Sequence, residues 1–460
     1  MNRNEEYKKL MEELDAMPVP EGGVERAVRR ERRSRYLTRP LAGIAAAFAL
    51  FVVLVNASTT VAYACSRIPG LRELAEAVTF SRSLGDAVEN EYVQPVDLEQ
   101  TANDITVKVE YLIVDQKTVT VFYRFLSERY PNLSEDPRVL SADGNSPPPC
   151  SYGLNDWGAP NGELRSMFID FVSDDVPPAL RLRLRLRSMD EHMPSEAPTA
   201  SIWDDPHEQE PDYVAEFEFL LEFDPYFTSQ GRHFEGGQSF TVDGQTLHLT
   251  NVDVYPSYLN LTLRGDETNT AWLESLSFYL VTDKGERFDT VTNGILSVGD
   301  PDTPEMISFR ADSTFFYDAA SISLHVTGAE WLDKDVETIR VDLKNAVADF
   351  MPEGTELISA ERDGNHWVVT VLKESASAQT FMSDYYDAAG KAYELREWSS
   401  SSTLLGSTPL GLAEAPRAPE GYVYESFPLK NYPYGEVWLT PRYTSRWSAE
   451  TPVVVTVPLQ

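Results

Sequence analysis

Four arginines at alternate positions form the most conspicuous chemistry-bearing pattern in this chain. Arg181, Arg183, Arg185 and Arg187 alternate with Leu180, Leu182, Leu184 and Leu186. In a strand, successive side chains point to opposite faces, so all four guanidinium groups project from one side of a sheet. Such a row can bind an anionic wall polymer or the carboxylate surface of a partner through charge-assisted hydrogen bonds. It can also pair with acids across the sheet, and Glu216 and Glu218 alternate on a second strand-like segment nearby. Cross-strand pairing is the simpler of the two.

The other reactive side chains form no recognisable site. Six histidines (His192, His207, His233, His248, His325 and His366) show neither H-E-x-x-H nor H-x-H spacing, so the zinc-hydrolase pattern is missing. There is no G-x-S-x-G elbow and no phosphate loop. Asp174/Asp175 and Asp204/Asp205 are adjacent carboxylates, but with 73 acids in the chain adjacency has no specificity. Asp300-Pro301-Asp302 lacks the spaced ligands of a calcium loop. These patterns predict no enzyme activity, no metal and no cofactor.

The elements that position the arginines are strands. Ile105, Val107, Val109, Tyr111 and Ile113 alternate with Thr106, Lys108, Glu110 and Leu112, and Asp115-Gln116-Lys117 turns the chain. Val119, Val121, Tyr123 and Phe125 alternate back, which predicts a β-hairpin with one buried face. Similar segments recur at 179–187, 213–223, 247–254, 258–264, 275–282, 321–327, 338–343, 366–372 and 453–457. Turns are expected at Asp243-Gly244, 283–285, Asp363-Gly364 and 388–390. No long helical pattern follows about residue 90. The fold class expected is mostly β, with tandem immunoglobulin-like β-sandwich modules over 96–235, 236–346 and 347–460.

The first 95 residues read differently. Residues 41–64 are uncharged and apolar, long enough at ~1.5 Å rise per residue to cross a bilayer core of ~30 Å. Arg29, Arg30, Arg32, Arg33, Arg35 and Arg39 crowd its N-terminal side and predict a cytoplasmic N-terminus. A cleaved signal peptide ending at Ala62-Tyr63-Ala64 is the rival, with lipoprotein processing at Cys65 a further alternative. An n-region of 40 residues with eight acids argues for a retained anchor over cleavage. Ahead of the run, Tyr7, Leu10, Met11 and Leu14 follow i, i+3, i+4, i+7 spacing and make one apolar stripe. Pro18 and Pro20 break that helix, and a second helix carries Val24 and Val28. Residues 1–40 are thus expected to be a cytoplasmic tail of two short helices, able to dock on a partner. Beyond the run, residues 65–95 are expected to be a helical spacer, with Leu71 to Val88 forming one helix.

Charge bounds the partners. The net charge is −34, and residues 1–40 hold ten basic and eight acidic side chains, so the remainder is strongly acidic. Nucleic acid would be repelled. The two cysteines, Cys65 and Cys150, leave their pairing open.

The order of several elements resembles a known family. A tail with Pro18-Val19-Pro20-Glu21 and a basic helix precedes the apolar run, and Arg67-Ile68-Pro69-Gly70-Leu71 follows it. Gln94-Pro95-Val96 and ITVKVEYLIVDQKTVTVFYRF come next, and a later segment, 313–335, also fits. This order is similar to Firmicute membrane proteins carrying the domain of unknown function 4179, regarded as anti-sigma factors. The resemblance implies a tail that binds an extracytoplasmic-function sigma factor, a bilayer-spanning helix and an exterior that senses an envelope ligand or protein. One departure stands out: no Cys precedes Cys65 and no His precedes His192, so the tail lacks the zinc motif of many anti-sigma domains. The alternative is an anchored adhesion or ligand-binding protein whose tail only fixes topology.

Overall fold

A computed structural model describes residues 69–155, 160–189, 212–291, 295–300, 302–375, 379–404 and 416–459. The tail residues Tyr7, Leu10, Met11, Leu14, Val24 and Val28, the arginines from Arg29 to Arg39, the apolar run and Cys65 lie outside the described residues. Among the described residues no helix is long and apolar enough to cross a membrane.

The described chain opens with two helices, α1 (Pro69–Ala77) and α2 (Arg82–Glu89). The single helix expected from Leu71 to Val88 is therefore broken. Ser81 sits in an extended conformation as the N-cap of α2, its hydroxyl accepting from the Leu84 amide. A serine in that position satisfies a helix-start donor and favours a new helix over continuation.

Eight strands then surround a first apolar core: β1 (Gln94–Ala102), β2 (Ile105–Val114), β3 (Thr118–Leu126), β4 (Leu133–Ser141), β5 (Ser151–Leu154), β6 (Arg165–Asp170), β7 (Ala179–Ser188) and β8 (Ala215–Glu222). They form two antiparallel sheets, β1-β2-β3-β6-β5 and β4-β7-β8. Val107, Val121 and Tyr123 from the first meet Leu182, Leu184 and Phe217 from the second. Inside this core Arg165 and Glu135, 1% and 3% exposed, are paired at 2.6 Å, and the Tyr123 hydroxyl donates to Glu135. A short helix, α3 (Pro225–Thr228), capped by Asp224, follows.

The second core is built from β9 (Arg232–Glu235), β10 (Ser239–Val242), β11 (Gln245–Val254), β12 (Leu259–Gly265), β13 (Ala271–Thr282), β14 (Arg287–Asp289), β15 (Ser297–Gly299), β16 (Met306–Ala311) and β17 (Ser321–Asp333). Asp243 and Gly244 both adopt positive φ (52° and 77°), the requirement of a two-residue hairpin turn, and join β10 to β11. Strands β9 and β10 share one edge of β11, divided at Gly236, where a Cβ would lie 2.0 Å from the Leu249 carbonyl oxygen.

A third core follows from β18 (Ile339–Asp342), β19 (Val347–Ala348), β20 (Thr355–Asp363), β21 (His366–Glu374), β22 (Phe381–Tyr386), β23 (Ala392–Glu394), β24 (Ser399–Ser401), β25 (Tyr422–Leu429) and β26 (Glu436–Pro441). The last strand, β27 (Ser445–Pro458), leaves this core and pairs antiparallel with β17 along nearly its whole length. Its Val455 and Val457 complete the second core. Every sheet pairing among the described strands is antiparallel.

Candidate functional site

The arginine row lies on β7 between β4 and β8, with its leucines in the first core and its guanidinium groups on the opposite face. Register sets Arg183 opposite Glu218 and Arg185 opposite Glu216 on β8, and Arg185 opposite Asp136 on β4. Arg181 and Arg183 both donate to Glu218, at 2.8 and 2.9 Å, and Arg183 lies 3.4 Å from Glu216. Arg185 pairs with Asp136 and stacks 4.4 Å from the centre of the Tyr213 ring, whose hydroxyl also donates to Asp136. Burial opposes the charge on Asp136, yet the Tyr213 and Arg185 hydrogen bonds hold its carboxyl below the ordinary carboxylate range. The Nε of Arg187 has no hydrogen-bond partner among the described residues. Three of the four charges are thus taken up by neighbouring acids. Changing Arg183 and Arg185 together to Gln is expected to leave retention on an anionic wall polymer unchanged and to lower thermal stability only slightly. Lost, salt-sensitive retention with folding intact would contradict this.

The more developed constellation is one that periodicity does not announce. After the bulge near Glu110, Ile113 and Phe122 turn away from the first core, yet they are almost wholly buried. Leu74 of α1, Val78 in the turn that follows it, and Leu84 and Ala87 of α2, with Tyr92, cover them. The hairpin β2–β3 is therefore buried on both faces here, where alternation alone predicts one. The helices are likewise no free spacer: each of these side chains leaves less than 10% of its surface exposed. Burying an aliphatic or aromatic side chain of this size stabilises by about 1.5–3 kcal/mol.

Polar contacts then tie α2 to the second core. Arg82 donates to the Arg287 carbonyl and, at 2.9 Å, to the Tyr317 hydroxyl. Its guanidinium lies 4.0 Å from the centre of the Phe288 ring, a cation–π distance. The hydroxyl of fully buried Ser83 donates to Asp312 at 3.2 Å and accepts from the Ser313 amide at 2.8 Å. Burial pushes the Asp86 and Asp312 carboxyls above their ordinary range, even with Tyr317 and Ser83 hydrogen-bonded to them.

Two further links join the first core to the second. Asp115 at the β2–β3 turn is fully buried; one carboxylate oxygen accepts from the Lys117 and Thr118 amides, the other from the Ser257 amide and hydroxyl. Burial raises its pKa despite these bonds. Arg310 on β16 makes a bidentate pair with Asp170 on β6, 7% and 3% exposed, with Tyr258 packed 3.9 Å from the guanidinium carbon. Helix pair, hairpin and second core meet at one junction. Its chemistry is coupling: a group that moves α2 must break contacts to both cores.

The helix pair and the β2–β3 hairpin fall inside one compact stretch of sequence. Residues 32–127 match the family described as a domain of unknown function, DUF4179. The DUF4179 match runs from the arginine segment through the apolar run and the helices to the end of β3, so the helix-covered hairpin is its described portion. Among solved structures, the crystal structure of the conserved domain protein from Bacillus anthracis is similar over 58% of this chain and 82% of its own, with 13% identity and a TM-score of 0.36. A comparison with curated proteins found no match.

Alternation points to the hairpin and its Asp115 turn but not to Arg82, Ser83, Asp170, Ser257 or Arg310. Asp115 was legible as a turn residue, because an Asp accepting amides two and three positions on is a common turn device. Its partner 142 positions away was not. His192 and His207 lie outside the described residues; among the others, His248 bridges Ser239 and Asp266, and His325 stacks 4.7 Å from Tyr279. Cys150 carries a free thiol, half-buried beside the first core, and burial raises its pKa to about 11.

Proposed function

We propose that this chain is a membrane-anchored, anti-sigma-like regulator. Residues 1–40 hold an extracytoplasmic-function sigma factor, residues 41–64 span the bilayer once with the N-terminus inside, and the acidic β exterior receives an envelope signal. The observation that carries the reading is the locked helix pair. It begins at Pro69, soon after the apolar run ends at Ala64, and α2 is pinned by Ile113 and Phe122 of the β2–β3 hairpin and by the Tyr317 hydroxyl and Ser313 amide beside the second core. A protein that used its span only as an anchor gains nothing from ordering the stretch beside it. A signal carrier needs that stretch stiff and in contact with the domains that sense. The DUF4179 match supports the reading, because it takes in the basic segment, the apolar run and the helix pair together. For the exterior we assign immunoglobulin-like sandwiches, since paired antiparallel sheets around one core fit that architecture.

Topology is the first test. A reporter active only in the cytoplasm, fused at Pro20, and one active only outside, fused at Gly144, are both expected to give signal. Recovery of the exterior as a secreted product starting near Cys65 would remove the retained span and, with it, this function.

A further inference from the structure

A cavity of about 280 Å³ opens at the junction, between α2, the first core and the second. Phe80 and Leu84 form its helix side, Phe168 and Thr120 its first-core side, and Tyr258 and Thr290 its second-core side. A cavity of about 150 Å³ lined by apolar groups holds benzene. The space here is larger, so it admits a ring carrying a few more atoms. Phe80, Leu84, Phe168, Tyr258, Val291 and Ile295 supply its apolar surface, and Thr120 and Tyr258 add hydroxyls.

The charges on the wall decide the ligand class. Arg310 is already committed to Asp170, and Arg82 faces Asp86 at 3.7 Å. Asp289 and Asp312 also line the space. Asp289 is itself paired with Arg287 at 2.7 Å, so an anion finds no uncommitted cation and meets the additional carboxylate of Asp312. A neutral ring with one hydrogen-bonding group finds aromatic faces to stack on and hydroxyls to pair with.

We propose that this cavity binds a small neutral ring compound bearing one hydrogen-bonding group, and that its occupant changes how firmly α2 is held. The coupling follows from the wall: Ser81, Arg82 and Leu84 are part of it, and Ser81 and Arg82 are the residues that start and anchor α2. A ligand in contact with them shares their contacts to both cores. That this occupant is a signal rests on the regulator reading; that it binds does not.

The test uses the full chain in lipid nanodiscs, with phenol and benzoate as a neutral and an anionic probe of nearly one size. Phenol is expected to bind saturably, with a Kd at or below about 1 mM for so small a ligand. It should slow amide exchange across Arg82–Glu89, and benzoate should do neither. Thr290→Trp, which puts a large ring into the lining of the cavity, should weaken phenol at least about tenfold and leave exchange in β2 and β3 as it was. Should Thr290→Trp disturb those strands, Val291→Trp fills the same cavity from the next lining position. Failure of phenol to saturate, equal binding of benzoate, or phenol binding untouched by the filling variant would each overturn the site. Saturation without slower exchange in α2 would overturn the coupling. No sigma factor is present in this experiment, so its failure leaves the tail reading standing, and the converse holds.

Discussion

Asp170→Ala is expected to destabilise the exterior by about 3–5 kcal/mol, the cost of stranding a buried charge. Asp170 and Arg310 are 3% and 7% exposed and paired through two guanidinium nitrogens, so removing the carboxylate leaves the buried Arg310 guanidinium without its hydrogen-bonded partner. The pair also joins β6 of the first core to β16 of the second, so the loss should open the junction as well as lower the melt. Amide exchange in α2 should rise with it. A second variant separates charge burial from mere packing. Asp170→Leu with Arg310→Met replaces the pair by apolar groups and should recover most of the loss, since buried ion pairs are often no better than well-packed hydrophobic residues. Chemical denaturation of the three proteins decides this. A loss under about 1 kcal/mol for Asp170→Ala would mean that the pair behaves as a solvent-screened surface pair and does not hold the two cores together.

Much of the fold was legible, for a physical reason that can be traced residue by residue. Period-two alternation is strong wherever one face is buried and the other wet, as in Leu180 to Arg187, and there the strand and its facing direction follow directly. The same pattern named Glu216 and Glu218 as neighbours of the arginines, and the β7–β8 register places them so. Strand β4 escaped because Glu135, Asp136 and Pro137 interrupt it, and Glu135 is tolerated inside only because Arg165 and Tyr123 satisfy it. Strand β27 was read as 453–457 alone, since Pro452 and the polar residues before it hide its first half. Nothing local says that it pairs with β17 after a whole core has intervened.

The junction was the least legible part. Its members lie up to 235 positions apart, as with Arg82 and Tyr317, and long-range pairing has no sequence period. Two signals were nevertheless present. Ser81 ahead of an apolar-periodic stretch marks a helix start. The run from Tyr111 to Val114 abandons alternation, as a strand buried on both faces must.

The tail is where the proposed function is most exposed to disproof. Leu10 and Leu14 lie on one face of a helix-forming segment, in a 40-residue tail with little else to bury them. Losing two buried leucines from a partner interface costs about 3–6 kcal/mol, or two to four orders of magnitude in affinity. The direct measurement is capture of an extracytoplasmic-function sigma factor from the same organism by residues 1–38, beside the Leu10→Asp, Leu14→Asp variant. Wild-type tail is expected to retain the sigma factor and the variant to lose it. In the cell the variant should release sigma-dependent transcription while inserting normally, because the arginines and the apolar run are untouched. Neutralising Glu5 and Glu6, off the stripe, should matter far less. A tail that captures no sigma factor, or a variant that leaves transcription silent, would contradict the regulator and favour an anchored surface protein.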